Sequence, residues 1–137
     1  MSKNIKDLIA DELKNVDSLS EVSFHRIDEN TVHRYKLSVV KGKDQGKDFY
    51  LSSKKTVIGR GGVGIPLKDI DVSRLHACFE VQDSGQVLIN DLGSTNGTFV
   101  NDVRIAEIAL KSHDVIQVGA TKLTFIIERA SDNVGEQ

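Results

Sequence analysis

Hydrophobic and polar residues alternate along most of this chain, in short runs that are separated by turn signals. In the first run, Tyr35, Leu37 and Val39 alternate with polar neighbours, which is typical of a half-buried strand. Further strands are predicted at Phe49–Leu51, Thr56–Ile58, Ile65–Leu67, His76–Val81, Gln86–Asp91, Thr98–Val100, Val115–Val118 and Thr121–Ile127. No helical period follows residue 34, so the pattern predicts an all-β protein, an antiparallel β-sandwich of about ten to eleven short strands.

The N-terminal segment has a different pattern. Ile5, Leu8, Ile9 and Leu13 fall at helical spacing and would line one face of a short amphipathic helix. We therefore divide the chain into an N-terminal extension (1–34, a short helix plus a flexible segment), a β-sandwich (35–129) and a polar tail or linker (130–137). The helix is either a marginal appendage that docks on the body or frays, or a partner or dimerisation element, because so short a helix is unstable without something to pack against.

Composition and charge narrow the function classes. Lys+Arg 18 against Asp+Glu 20 gives a net charge of −2, whereas nucleic-acid binders usually carry a basic excess. No apolar stretch approaches the ~18 residues of a membrane span, and the N-terminus lacks a hydrophobic signal core. We expect a soluble, cytoplasmic protein that binds neither nucleic acid nor membrane and needs no cofactor or metal.

Three polar clusters interrupt the strands and are the candidate chemistry of the chain. They are Gly59–Arg60, Ser73–His76 and Ser94–Thr98, and each lies where an apolar run ends in a turn. Taken singly, each has a structural explanation: a solvated strand end, a capped turn and an Asn-Gly hairpin signal. Together they offer two guanidinium groups, several hydroxyls and a carboxamide without a nucleophile–base pair, which favours binding of a charged oxyanion over catalysis.

Gly59, Gly61 and Gly64 also spell G-x-G-x-x-G after a predicted strand. A dinucleotide site requires a helix to open at the third glycine, with its N-terminal amides facing the pyrophosphate. Here the third glycine leads into Ile65–Leu67, which contains a proline and is predicted to be a short or edge strand. The glycines are therefore interpreted as residues of an exposed turn.

The order of these clusters resembles the forkhead-associated (FHA) domain family, whose members are β-sandwiches that bind phosphothreonine peptides. The similarity runs from about Tyr35 to Glu128. The segments that carry it are Val57–Arg60, Val72–Ala77, Asn90–Asn101 and Asp114–Gly119. The resemblance implies a signalling module that recognises phosphothreonine on a partner protein, and hence a Ser/Thr kinase upstream.

The resemblance also implies a role for each matching residue. Arg60, Ser73, Arg74 and Thr95 would hold the phosphate, and Asn96 would grip the backbone of an extended peptide. Gly59, His76, Gly97 and Ser94 would support the loops. The chain departs from the family in Gly61–Gly64, where acidic residues and asparagine are common, and this leaves the preference for residues around the phosphothreonine open.

Three further interpretations remain open at this stage. A module of the same fold could bind its partner without phosphorylation, although it would not need the set formed by Arg60, Ser73, Thr95 and Asn96. An enzyme is disfavoured, since no histidine has a paired nucleophile or metal-ligand spacing. Thr31 is the only threonine outside residues 35–129, and it is a candidate phosphorylated tail residue that the domain could capture from its own copy or a neighbouring one. Alternatively, Thr31 simply leads into the first strand.

Overall fold

The computed structural model describes residues 25–28 and 31–129. The described residues form twelve strands. They are β1 (His25–Asp28), β2 (Thr31–Lys41), β3 (Asp48–Tyr50), β4 (Lys55–Arg60), β5 (Ile65–Leu67), β6 (Ala77–Val81), β7 (Val87–Asp91), β8 (Thr98–Val100), β9 (Val103–Ile105), β10 (Glu107–Ala109), β11 (Val115–Val118) and β12 (Thr121–Arg129). No helix within these residues is long and apolar enough to cross a membrane.

The strands form two sheets. One has seven strands in the order β1-β2-β12-β11-β8-β9, with β3 also paired to β2, and the other has five in the order β10-β7-β6-β4-β5. The predicted all-β sandwich is confirmed, with one difference in strand direction: β5 runs parallel to β4. Pro66 lies in β5, at the edge of the smaller sheet, where its missing N–H costs no ladder hydrogen bond.

Three strands were not predicted from the sequence: β1, β9 and β10. The last two lie at the edges of the two sheets and are largely exposed, so their side chains show no alternation between core and solvent. Strand β1 and the start of β2 precede the predicted boundary at residue 35, so strand pairing continues into the segment assigned to the extension. The predicted N-terminal helix and the polar tail after residue 129 lie outside the described residues.

The core is largely aliphatic, and its residues follow the two-residue period of the strands. Tyr35, Leu37 and Val39 of β2 face inward, and the Tyr35 and Phe125 rings stack with their centroids 6.1 Å apart. Phe79 of β6 and Ile89 of β7 meet them from the smaller sheet. Each such side chain contributes about 1.5–3 kcal/mol when it is fully buried. This rigid body supports the loops at its ends.

Strand register brings the three polar clusters to one end of the smaller sheet. Ala77, the first residue of β6, pairs with Ile58 near the end of β4 and with Asp91 at the end of β7. The chain segments at these strand ends are therefore neighbours. They lie around Arg60, just before Ala77 and just after Asp91. Residues separated by more than thirty positions in sequence come together because the strands are antiparallel.

Candidate functional site

Backbone hydrogen bonds fix the first two clusters against each other. The Arg60 N–H donates to the Ser73 carbonyl (3.0 Å), and the His76 N–H donates to the Ile58 carbonyl (3.0 Å). The segment 73–76 thus runs alongside the end of β4 before β6 begins. Arg60 and Arg74 are both exposed, while Ser73 is half-buried between them and the core.

Gly59 is buried at the closest approach of these two segments. The Arg74 carbonyl oxygen occupies the position that a β-carbon on residue 59 would need, and the Ser73 carbonyl oxygen lies 3.1 Å from the same point. Glycine is the residue that permits a backbone to approach this closely. Its role here is steric fit, because residue 59 lies in a regular strand without a positive φ.

His76 joins the second cluster to the third. Its ring is fully buried, Nδ1 accepts the Ser73 N–H (3.0 Å), and Nε2 lies 2.8 Å from the Gly97 carbonyl oxygen. Since Nδ1 accepts a hydrogen bond from an amide, Nε2 carries the proton and donates it to Gly97. One side chain therefore sets the spacing between the Ser73 loop and the turn at residues 94–97.

Ser73, Thr95 and Asn96 form the surface where these loops meet. The Thr95 N–H donates to Ser73 Oγ (3.0 Å), and Asn96 Nδ2 donates to the Asp71 carbonyl (2.9 Å). Within the described residues the Ser73 hydroxyl proton has no acceptor, so it is free to bind an external oxygen. Asn96 retains its carbonyl oxygen and a second N–H on an exposed side chain.

Asp91 shapes the turn that carries Thr95 and Asn96. Its carboxylate accepts the Gly93 and Ser94 N–H groups together with the Ser94 and Thr98 hydroxyls. Burial opposes ionisation, but these hydrogen bonds outweigh it and lower the pKa of Asp91. Ser94 Oγ in turn accepts the N–H of Gly97, which adopts a positive φ of 91°.

Asp69 holds the Ser73 loop to the larger sheet. It is 6% exposed, and its carboxylate accepts the Asp71 N–H (2.8 Å), the Ala120 N–H (2.8 Å) and the Thr121 hydroxyl (2.7 Å). Burial disfavours the charge, yet the three hydrogen bonds lower the pKa of Asp69 below its ordinary value of 3.8. No local sequence signal identifies this residue, because two of its partners lie more than fifty positions away.

Arg60 comes before Ser73 in the sequence and Arg74 directly follows it, and the two side chains border a common groove. Arg60 and Arg74 both line this open groove of about 590 Å³. Across residues 25–28 and 31–129, neither forms an ion pair with a carboxylate. Arg74 directly follows Ser73 in sequence, and the Arg60 N–H is bonded to the Ser73 carbonyl, so two exposed guanidinium groups and a hydroxyl donor are carried by adjoining backbone segments. Such groups can bind a multiply charged oxyanion through charge-assisted hydrogen bonds. Nor does this part of the chain contain a group of three His, Cys, Asp or Glu side chains that could hold a metal ion.

The loop anchor at Asp69 leads to a prediction about pH. Because the pKa of Asp69 is lower in the folded protein than its ordinary value of 3.8, its stabilising contribution is full above that pH and is lost as the pH falls through the folded-state pKa. We expect Asp69→Asn to lower stability at pH 7 by about 1–3 kcal/mol, since the amide cannot accept all three hydrogen bonds.

Thermal melts from pH 7 to pH 3 test this prediction. The melting temperature of Asp69→Asn should fall less with acid than that of the unaltered protein. The remaining acid sensitivity is due to Asp44, Asp91 and Glu128, whose pKa values are also lowered, because hydrogen bonds, together with nearby cations at Asp44 and Glu128, outweigh burial. Asp83→Asn is the matched control, because Asp83 is exposed. Equal acid profiles for the unaltered and Asp69→Asn proteins would contradict the assignment.

The two-sheet sandwich, with its polar loops gathered at one end of the smaller sheet, is typical of β-sandwich domains that bind partners through their loops. The chain belongs to the FHA domain family, as the sequence resemblance predicts. The family model that matches it, at residues 38–129, is described as the inner membrane component of T3SS, cytoplasmic domain. A solved FHA domain studied for its phosphothreonine-dependent interactions superposes with a TM-score of 0.63 at 30% identity, covering 69% of this chain and 97% of that one.

Two curated relatives are similar over the same region. The glycogen accumulation regulator GarA of Mycolicibacterium smegmatis is 36% identical over 100 residues, which is 72% of this chain and 63% of that protein. The oxoglutarate dehydrogenase inhibitor of Corynebacterium diphtheriae is 42% identical over 92 residues, which is 66% of this chain and 63% of that protein. The chain thus spans slightly less than two thirds of the length of these relatives.

Proposed function

We propose that this domain binds phosphothreonine-containing segments of partner proteins. The observation that carries the proposal is the Ser73 hydroxyl, which accepts the Thr95 amide and is next in sequence to Arg74, one of two arginines that form no ion pair within the part of the chain that the structure describes. A phosphate ester carries about −1.5 to −2 charge at neutral pH and three acceptor oxygens. Arg60 and Arg74 supply the cations, and Ser73 and Thr95 supply hydroxyl donors.

Asn96 is suited to the peptide rather than to the phosphate. Its side chain is anchored through one N–H to the Asp71 carbonyl, which leaves an acceptor and a donor facing outward. A carboxamide with both functions can pair with a main-chain N–H and carbonyl of an extended segment. Gly59, His76, Ser94 and Gly97 act indirectly, by holding the segments that carry the binding groups.

The alternative function is binding of a partner without phosphorylation, through the same fold. That function would not need two exposed guanidinium groups on the segments next to the Ser73 hydroxyl, and such groups would have to be desolvated at any neutral interface. The phosphate-dependent function is therefore preferred. The distinction is experimental: a phosphate-independent module would bind phosphorylated and unphosphorylated forms of a segment equally well.

Thr31 is the candidate phosphorylated residue within the chain. It is the first residue of β2 and pairs with Asp28, while the other end of β2, at Lys41, pairs with Lys122 near the turn that Asp69 anchors. Ten strand residues span about 33 Å, so Thr31 lies at the end of the larger sheet away from the candidate site. We therefore propose that phosphorylated Thr31 is captured by a neighbouring copy, because to reach the site of its own copy β1 and the start of β2 would have to leave the sheet and cross this distance.

A library of phosphothreonine peptides, with matched unphosphorylated peptides, tests the function by fluorescence anisotropy. We expect binding of a subset of phosphopeptides and at least 100-fold weaker binding of their unphosphorylated forms, since the charge-assisted hydrogen bonds are lost. A peptide centred on phosphorylated Thr31 belongs in the set, and its failure to bind would remove the tail hypothesis alone. Equal binding of both forms throughout the library would contradict phosphothreonine recognition.

At the level of the whole protein, we propose that the domain is the sensory part of a cytoplasmic signalling protein that acts by binding and has no enzymatic activity of its own. The relatives are named as a regulator and as an enzyme inhibitor, and the matching family model is named as a cytoplasmic domain. A Ser/Thr kinase must act upstream, because the proposed ligand is a phosphothreonine. Pull-downs from phosphatase-treated and untreated lysates would name the partner, with capture expected from the untreated lysate.

A further inference from the structure

Asn96 is followed by Gly97, and this is the only Asn-Gly pair in the sequence. An asparagine before a glycine is chemically labile, because a glycine has no β-carbon to hinder attack by its backbone nitrogen on the neighbouring carboxamide. That attack expels ammonia and closes a succinimide ring, which water opens to aspartate or isoaspartate. The Asn96 side chain is exposed, so water reaches it.

The fold requires glycine at position 97 and therefore imposes the labile pair. Gly97 has a positive φ of 91°, and Arg104 Nε lies 2.9 Å from the point where a β-carbon on residue 97 would stand. Any larger residue would strain the backbone and displace the Arg104 side chain. Asn96 cannot be exchanged freely either, because its carboxamide is the group proposed to hold the peptide backbone.

Two hydrogen bonds oppose the reaction in the folded protein. The Gly97 N–H donates to Ser94 Oγ (2.9 Å), and Asn96 Nδ2 donates to the Asp71 carbonyl (2.9 Å). Ring closure removes the proton from the Gly97 nitrogen and releases Nδ2 as ammonia, so it breaks both bonds. Gly97 is also buried, which hinders solvent base from reaching its amide.

We propose that Asn96 is a site of spontaneous modification, at which loss of ammonia produces a carboxylate that weakens phosphopeptide binding, and that Ser94 slows this reaction in the folded protein. A bond forms between the Gly97 nitrogen and Asn96 Cγ, the bond from Cγ to Nδ2 breaks, and the amide proton leaves with ammonia. Water then cleaves either carbon–nitrogen bond of the ring, giving its hydroxyl to the carbonyl carbon and its proton to the nitrogen.

The effect on binding rests on the proposed function, whereas the modification itself does not. The product carries a negative charge on the surface where Ser73 and Thr95 meet Asn96, and it lacks the N–H that is bonded to the Asp71 carbonyl. Like charges across an interface disfavour binding. A phosphate group should therefore bind the modified domain more weakly.

Peptide mapping by mass spectrometry tests the modification directly. The unaltered protein and Ser94→Ala are kept at a mildly alkaline pH, and the fraction of residue 96 that has lost ammonia is followed over time. We expect Ser94→Ala to react about fivefold faster, because one hydrogen bond that opposes ring closure is gone. Ser94→Thr keeps a hydroxyl and should react at the rate of the unaltered protein.

The same measurement in urea separates protection by the turn from a general loss of folding. In urea the unaltered protein and Ser94→Ala should react equally fast, and both faster than the folded unaltered protein. Melting temperatures show whether each variant is folded during the incubation. If Ser94→Ala is not, Ser94→Cys takes its place, since a thiol is a weaker acceptor of similar size. Asn101 precedes Asp102 and is the internal reference, which should keep its amide.

Binding of the modified protein tests the consequence. The more negative product is separated by ion exchange, and its Kd for a phosphothreonine peptide is measured by fluorescence anisotropy beside that of Asn96→Asp. We expect both to bind at least about tenfold more weakly than the unaltered protein.

The possible outcomes separate the two proposals. If ammonia loss is no faster in urea than in buffer, or if folded Ser94→Ala and the unaltered protein react equally fast, the protected modification site is wrong and phosphothreonine binding stands. If phosphopeptides bind the modified and unaltered proteins equally well, its effect on binding is wrong. If no phosphopeptide binds the unaltered protein, the proposed function fails, and the rates of ammonia loss still decide the modification.

Discussion

Replacing Arg60 with alanine is expected to weaken binding of every phosphothreonine peptide by about 100-fold or more. Each hydrogen bond to a charged group contributes about 1.5–3 kcal/mol, and a guanidinium group can donate two such bonds to one phosphate. The fold should survive, because the Arg60 side chain is exposed and forms no ion pair among the described residues, while its backbone N–H still donates to Ser73. Anisotropy measures the binding, and urea unfolding measures the stability.

A second arginine provides the control for charge. Arg129 is exposed at the end of β12, where it pairs with His33 at the end of the sheet away from the candidate site. Arg129→Ala removes the same net charge and should change Kd by less than about twofold, since exposed charges at this distance are screened by salt. Retained binding in Arg60→Ala, or an equal loss in Arg129→Ala, would rule out a local phosphate contact.

Arg60→Lys refines the same prediction. Lysine keeps the charge but is a compact cation without the planar fork of arginine. An affinity between those of the unaltered protein and Arg60→Ala would indicate that geometry contributes in addition to charge. Affinity equal to that of the unaltered protein would indicate that Arg60 acts mainly as a point charge.

Much of the fold could be predicted because the inward-facing residues of its central strands alternate strictly. Every second residue is buried in β6, in the Tyr35–Val39 part of β2 and in the Thr121–Phe125 part of β12, and this pattern is visible in the sequence. Strands β9 and β10 could not be found in that way, since they lie at sheet edges and expose most of their side chains. Likewise, the parallel pairing of β5 depends on which strand it meets, which no local pattern encodes.

Some residues of the candidate site could likewise be predicted from the sequence, and others could not. Arg60, Ser73, Thr95 and Asn96 could be selected from the sequence because they occur at turns in an order that resembles a known family. Asp69 could not be selected, because its role depends on Ala120 and Thr121, which approach it only when the two sheets pack together. An isolated aspartate before a predicted turn is otherwise explained by the turn itself.

Gly59 shows how the reason for a residue can change once the structure is known. The sequence interpretation places Gly59, with Gly61 and Gly64, in an exposed turn, and this is wrong for Gly59, which is buried in β4. Gly97, by contrast, does supply an unusual backbone conformation, with a φ of 91°. The structure shows instead that Gly59 lies in a regular strand and that its missing side chain makes room for the Arg74 carbonyl. This difference matters because a substitution strains the backbone conformation at a glycine with a positive φ, whereas at Gly59 it makes the added side chain overlap neighbouring backbone. The two kinds of glycine therefore predict different effects of substitution.

Gly59→Ala is accordingly expected to be the most destabilising single-methyl change in this loop region, lowering stability by about 3 kcal/mol. The added methyl overlaps backbone, which cannot rotate away as a side chain can, so the 73–76 segment must shift from β4. We expect the melting temperature to fall by roughly 10–20 °C for a domain of this size. Phosphopeptide binding should weaken as well, since Ser73 moves with the segment.

Gly61→Ala separates sterics from backbone conformation. Gly61 has a positive φ of 71° with nothing within 4 Å of the β-carbon position, so alanine there meets only the conformational penalty of about 1–2 kcal/mol. Gly59→Ala should therefore be the less stable of the two variants in urea unfolding. Comparable stability of the two would mean that the Arg74 segment yields without cost, and that the close approach at residue 59 does not hold the loop in place.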